Sequence, residues 1–229
     1  ITNYTLHSGD KIELKDTSDY KKDTPSIRGG SSTKKDDTKK DDEKTDENPA
    51  WENPFADVND KDWFFDAVKF SSEKGLFNGV SDSEFAPYDN VTRGMFVTIL
   101  HRAANSPESG ENRFADVKAG SYYEKAAAWA AENGIVNGVS ETEFAPDDNI
   151  TREQIAVILY NYAKGEAPEK LSADAFADTQ SISDWATDAI AWAVNKGIIN
   201  GKENNMLDPK GTATRAEAAA MMMRFINLG

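Results

Sequence analysis

The chain has 229 residues, 38% hydrophobic and 29% charged, which is enough for one large domain or a few small modules. Twenty-six Lys and Arg against forty Asp and Glu leave a formal charge of -14, which argues against nucleic acid as a partner, because such binding works through clustered basic residues. There is no cysteine, the two histidines (His7 and His101) lie far apart, and no run approaches the roughly 20 apolar residues of a membrane span. Disulfides, thiolate chemistry, a histidine-rich metal site and membrane insertion are therefore not expected.

The chain starts at Ile1 without a leader and reads as a mature product or a fragment. Residues 1–19 alternate well enough to be the last strands of a preceding domain, with Ser8-Gly9-Asp10 as a turn. From about residue 20 to 53 the sequence is Lys, Asp, Glu, Thr, Ser and Gly with little apolar surface, and it reads as a disordered charged linker.

Beyond Pro49 the chain repeats itself. Phe55-Ala56-Asp57 returns as Phe114-Ala115-Asp116 and Phe176-Ala177-Asp178. Asn78-Gly79 returns as Asn137-Gly138 and Asn200-Gly201, and Phe85-Ala86-Pro87 as Phe144-Ala145-Pro146 and, more loosely, Leu207-Asp208-Pro209. Thr92-Arg93 returns as Thr151-Arg152 and Thr214-Arg215, with the arginines 59 and 63 residues apart. Three modules follow: 54–105, 113–164 and 175–229.

Each module predicts two helices. The first spans 63–74, 122–133 and 185–196, with Asp62, Ser121 and Asp184 as N-caps and Ser121 with Glu124 as a capping box. Gly75, Gly134 and Gly197 stop these helices as left-handed caps. Phe70, Trp129 and Trp192 sit a turn beyond Ala67, Ala126 and Ala189, an aromatic over a small residue that reads as core packing. The second helix starts after Thr92, Thr151 and Thr214. Capping boxes are expected in the second and third copies, but not in the first, where Met95 stands in the acceptor's place. Met221, Met222 and Met223 read as filler between helices.

Arg93, Arg152 and Arg215 each occupy the first position of a capped helix, where the helix dipole favours an acid instead. Two readings stay open. Free backbone amides, the dipole and a guanidinium make a receptor for a carboxylate or phosphate, or each arginine pairs with Asp57, Asp116 or Asp178. Gly79, Gly138 and Gly201 allow positive φ and close approach of a ligand. Trp63, Tyr122 and Trp185 offer flat faces to sugar rings or pack a helix start on its own loop. Asp57 to Asp62 fails as a calcium loop, because Lys61 stands at a ligand position and Val68 at the place of the bidentate acid. No catalytic residue, cofactor or metal is expected.

Together these landmarks resemble the S-layer homology module, most specifically Thr214-Arg215-Ala216-Glu217, and the likeness covers about 54–227. The resemblance implies an all-α fold: three helix-loop-helix repeats in a pseudo-threefold spindle around a central three-helix bundle. It implies a secreted, non-catalytic anchor of a Gram-positive surface protein, binding a carboxylate-bearing secondary cell-wall polysaccharide in grooves between modules, typically through a pyruvylated N-acetylmannosamine. Arg93, Arg152 and Arg215 would meet the ligand carboxylate, with Gly79, Gly138, Gly201 and the aromatics around it. The alternatives are a self-assembling surface-layer element with lattice contacts to other surface proteins, and the C-terminal anchor of an extracellular polysaccharide-degrading enzyme. Departures from the pattern (Gly94-Met95, Glu153-Gln154, Tyr122, Leu207) lead us to expect grooves of unequal affinity.

Overall fold

The computed structural model describes residues 51–228; the segment 1–19 and the charged stretch as far as residue 50 lie outside them. Among the described residues there are six α-helices and no strand. They are α1 (Phe65–Glu73), α2 (Arg93–Ala103), α3 (Glu124–Glu132), α4 (Arg152–Ala163), α5 (Thr187–Asn195) and α6 (Arg215–Ile226). Two of them belong to each module.

The ends of these helices follow from local chemistry. Thr92, Thr151 and Thr214 accept the amides of Met95, Gln154 and Glu217 through their hydroxyls. The reciprocal half of the capping box forms in α4 and α6 but not in α2, where Met95 has nothing to offer. Gly75, Gly134 and Gly197 lie at φ 63°, 67° and 69°. After them the amides of Leu76, Ile135 and Ile198 reach back to Ser71, Ala130 and Ala193, each at 2.8 Å, which closes a Schellman motif.

The starts of α1, α3 and α5 differ from expectation. Asp62, Ser121 and Asp184 are not N-caps: the helices begin at Phe65, Glu124 and Thr187, after a tight turn. The Ser121–Glu124 box does not form; Glu124 instead accepts the Gly120 amide at 2.6 Å. The extra turn lifts Trp63, Tyr122 and Trp185 out of the helices and tucks the residue after each, Phe64, Tyr123 or Ala186, into the core.

With the second helix of each module as the inner one and the first as the outer, burial is most complete in α2 and α6, while about half of α3, α4 and α5 is buried. In α2, positions 93, 94, 96–101 and 103 are all buried, and α6 is almost as enclosed. A helix buried all round belongs at the centre of a domain. In α1, by contrast, only Ala67, Val68 and Ser71 are buried. Each inner helix packs most closely on the outer helix of the next module, α2 on α3 and α4 on α5, and α6 on α1 closes the ring. Tyr162 and Phe225 join α4 to α6 with ring centroids 5.9 Å apart.

Three strictly buried residues mark the pseudo-threefold axis. The Val91 amide donates to Ala213 (3.0 Å), Ala213 to Ile150 (2.9 Å), and Ile150 to Val91 (2.9 Å). The modules are thus a closed ring.

The residue after each arginine fits the neighbour it meets. A Cβ on Gly94 would lie 3.0 Å from the Tyr123 ring and 3.0 Å from the Pro146 carbonyl. At the equivalent place Glu153, only 4% exposed, binds the Ser183 amide (3.0 Å) and hydroxyl (2.9 Å), holding the turn before Trp185. Gly94→Val is therefore expected to cost about 1–3 kcal/mol by overpacking against Tyr123, despite removing a helical glycine. Urea denaturation checks it, and an unchanged midpoint would contradict it.

Candidate functional site

The three arginines stand where one module meets the next, and the ring explains why. Each loop ahead of a second helix caps the second helix of a different module. The amides of Arg93 and Gly94 donate to Asp148 (2.9 Å) and Pro146 (2.8 Å). Arg152 and Glu153 donate to Gly211 and Pro209, and Arg215 and Ala216 to Asp89 and Pro87. The expectation of free helix-terminal amides is corrected here: the first two donors of each inner helix are buried, so they need internal acceptors, and neighbouring carbonyls supply them.

The guanidinium groups are anchored in the same way. The Nε of Arg93, Arg152 and Arg215 donates to the carbonyls of Phe144 (2.9 Å), Leu207 (2.9 Å) and Phe85 (2.7 Å). Arg93 lies over the Phe144 ring at 4.8 Å and Arg215 over Phe85 at 4.7 Å, contacts suited to a cation. All three side chains are buried, which lowers each guanidinium pKa. Nearby acids oppose the shift: Asp148 and Asp116 for Arg93, chiefly Glu217 and Asp208 for Arg152, and Asp89 and Asp57 for Arg215. All three remain cations at neutral pH.

The terminal nitrogens distinguish the boundaries. Arg152 uses both, on the Asn200 carbonyl (2.8 Å) and on Glu217 (3.4 Å). Arg215 uses one, on the Asn78 carbonyl (2.7 Å). Among the described residues neither terminal nitrogen of Arg93 has a protein partner; the carbonyl of Asn137, equivalent to Asn78, is taken by Arg113 at 3.3 Å.

Asp57, Asp116 and Asp178 form no direct ion pair with the arginines among the described residues. Each carboxylate clamps two adjacent amides of its own loop: Phe85 and Ala86 (2.9 and 2.7 Å), Phe144 and Ala145 (2.8 and 2.6 Å), Leu207 and Asp208 (2.7 and 2.8 Å). These aspartates hold the carbonyls that the arginines grip.

Of Gly79, Gly138 and Gly201, only Gly138 has positive φ, at 84°. A Cβ at Gly79, Gly138 or Gly201 would run into Phe55, Phe114 or Phe176, at 2.6, 2.7 and 2.8 Å. At Gly79 and Gly138 the loop's own carbonyls crowd the position still more closely, Ser81 at 2.3 Å and Glu143 at 2.5 Å, and only at Gly201 is the phenylalanine the nearest neighbour. Trp63, Tyr122 and Trp185 are 62%, 61% and 58% exposed, so their rings face solvent. The Tyr122 side chain lies near that of Thr92, the residue before Arg93, and partial burial raises the phenol pKa. It also lines an open cavity of about 390 Å³ between α2 and α3, with Thr98, His101, Arg102, Ser121 and Lys125. The Ser121 hydroxyl itself is sealed from solvent and has no hydrogen-bond partner among the described residues.

Sequence reasoning missed four features: the cross-module capping, Arg113, the Glu153 clamp, and the ion network in which Lys202 joins Asp208 (2.8 Å) to Glu217 (3.0 Å). Only the departures from the repeat at 94, 153 and 202 signalled them.

An amylopullulanase of Thermoanaerobacterium thermosulfurigenes is 37% identical over 172 residues, covering 73% of this chain and 9% of its own length. A surface-layer 125 kDa protein of Lysinibacillus sphaericus is 35% identical, covering 70% of the chain and 14% of its own length. A cellulosome-anchoring protein of Acetivibrio thermocellus is 26% identical, covering 67% of the chain and 36% of its own length. The chain therefore spans only a minor part of each of these relatives. A family model described as the S-layer homology domain matches residues 54–94, 113–156 and 175–219, the segments that carry the arginines, clamps and caps above. By these three tandem matches the chain belongs to the S-layer homology family.

Proposed function

We propose that this chain is a non-catalytic anchor that holds a secreted protein to the cell wall by binding an anionic, pyruvylated polysaccharide at the boundaries between modules. Arg93, Arg152 and Arg215 place one cation at each boundary, and a carboxylate binds where the guanidinium is not already engaged by the protein. Trp63, Tyr122 and Trp185 supply exposed rings for sugar faces, while Asp57, Asp116, Asp178 and the loops of Gly79, Gly138 and Gly201 keep the pieces in place. One observation carries this reading: at Arg93 a buried cation has two terminal nitrogens without a protein partner among the described residues, and the exposed ring of Tyr122 lies near Thr92, its neighbour in the chain. A fork of that kind matches two carboxylate oxygens.

The relatives favour the same role. Surface-layer, cellulosome-anchoring and polysaccharide-degrading proteins share only this segment with the chain, which fits attachment better than any one chemistry.

Cosedimentation with purified cell-wall sacculi tests the proposal. The chain is expected to pellet with native sacculi and to stay in the supernatant once the pyruvyl groups are removed. Pelleting that survives their removal overturns the carboxylate reading, and self-pelleting without sacculi favours lattice assembly.

A further inference from the structure

Resting on this anchoring role, we infer that the three boundaries are unequal: the Arg93 boundary takes the carboxylate, and the Arg152 boundary is shut from within by Glu217 and Lys202. At Arg93 both terminal nitrogens lack a protein partner among the described residues, although the side chain is 6% exposed. Neither nitrogen is sealed from solvent. Arg113 adds a second cation, lying 4.9 Å from the Phe114 ring while Arg93 lies over the adjoining Phe144 ring, with the two ring centroids 5.4 Å apart. The open cavity beside Tyr122, lined also by His101, Arg102, Glu124 and Lys125, gives the next sugar of a polymer a place with apolar surface and charged donors and acceptors. At the equivalent positions Ser121 becomes Asp62 and Asp184, His101 becomes Tyr160 and Met223, and Lys125 becomes Asp188 and Asp66.

At Arg152 the opposite holds. Glu217 accepts from the guanidinium (3.4 Å) and from Lys202 (3.0 Å), and Lys202 also binds Asp208 (2.8 Å). Two cations and two anions close on one another, and an incoming carboxylate would have to displace Glu217 from a partly desolvated site. The first two modules have nothing of this kind, because Glu217 is matched by Met95 and Gln154, and Lys202 by Val80 and Val139. Arg215, with one unclaimed nitrogen and Met95 at its boundary, ranks between them.

The test uses the whole chain with isotope-labelled arginine, titrated with a methyl glycoside of pyruvylated N-acetylmannosamine and followed by side-chain NMR. The Arg93 guanidinium signals are expected to shift first and saturably while those of Arg152 stay in place. Arg93→Gln is expected to weaken binding by about tenfold or more; should it fail to fold, the wild-type titration decides. Glu217→Gln keeps a capping side chain of the kind Gln154 provides in α4, and it is expected to add a second saturable event at Arg152. Arg152 signals that move at or before those of Arg93, or no added event in Glu217→Gln, would overturn the ranking alone. Absence of binding to both the glycoside and native sacculi would overturn the anchoring role with it.

Discussion

A chain truncated after Leu171, and so lacking the third module, is expected to lose cooperative unfolding altogether. The first two modules keep one complete inter-module contact, α2 on α3. They lose α5 from the face of α4 and α6 from the face of α1. The amides of Arg152, Glu153 and Val91 lose their acceptors at Gly211, Pro209 and Ala213, and the Arg152 guanidinium loses Leu207, Asn200 and Glu217. Removing the module returns these donors and the cation to water, so each lost native hydrogen bond costs only about 0.5–1.5 kcal/mol, and the larger loss is the apolar surface of α1 and α4 left uncovered, at about 25 cal/mol per Å². Together these losses are expected to exceed the roughly 5–15 kcal/mol by which a domain is stable. An open array of repeats would only become shorter, since each unit there touches its neighbours alone; a closed ring has no dispensable member. Thermal melts by circular dichroism and amide NMR dispersion check this. A sigmoidal melt with dispersed amides in the truncated chain would show that the modules fold one by one.

The same geometry explains what could be read from the amino acids. The glycine stops at 75, 134 and 197 and the threonine caps at 92, 151 and 214 were legible because each is decided within one turn of chain. The starts of α1, α3 and α5 were not, because the aromatic before each helix is lifted out by a turn whose gain comes only when the following residue is buried in the folded core. That three arginines share an environment was legible from the repeat. That their helix-terminal amides are consumed was not, because the acceptors lie more than fifty residues away, in whichever module closes the ring. The ion network of Arg152 depends on Lys202 and Glu217 meeting in space, and spacing alone does not reveal such a meeting.

Asp116→Asn is expected to cost about 2–4 kcal/mol, for the loss of one charge-assisted hydrogen bond and the weakening of the other. Both oxygens of Asp116 are committed, to the amides of Phe144 and Ala145. An asparagine offers one acceptor and turns its NH2 group toward the other amide. The clamp also holds Ala145 at φ 56°, a left-handed conformation that an alanine adopts only under constraint. In a domain of this size the midpoint of thermal unfolding should fall by roughly 5–15 °C. The third module supplies the control: there the left-handed residue is Asp208, at φ 55°, and aspartate tolerates that region better than alanine. Asp178→Asn should therefore cost less than Asp116→Asn, although the two carboxylates make the same pair of bonds. The Phe144 carbonyl is also what Arg93 grips through Nε, so faster amide exchange at Phe144 and Ala145 should accompany weaker pelleting with sacculi. A variant within 1 kcal/mol of the parent, on the scale of a single net hydrogen bond, would show that the loop is held by the packing of Phe114 against Phe144 and not by the carboxylate.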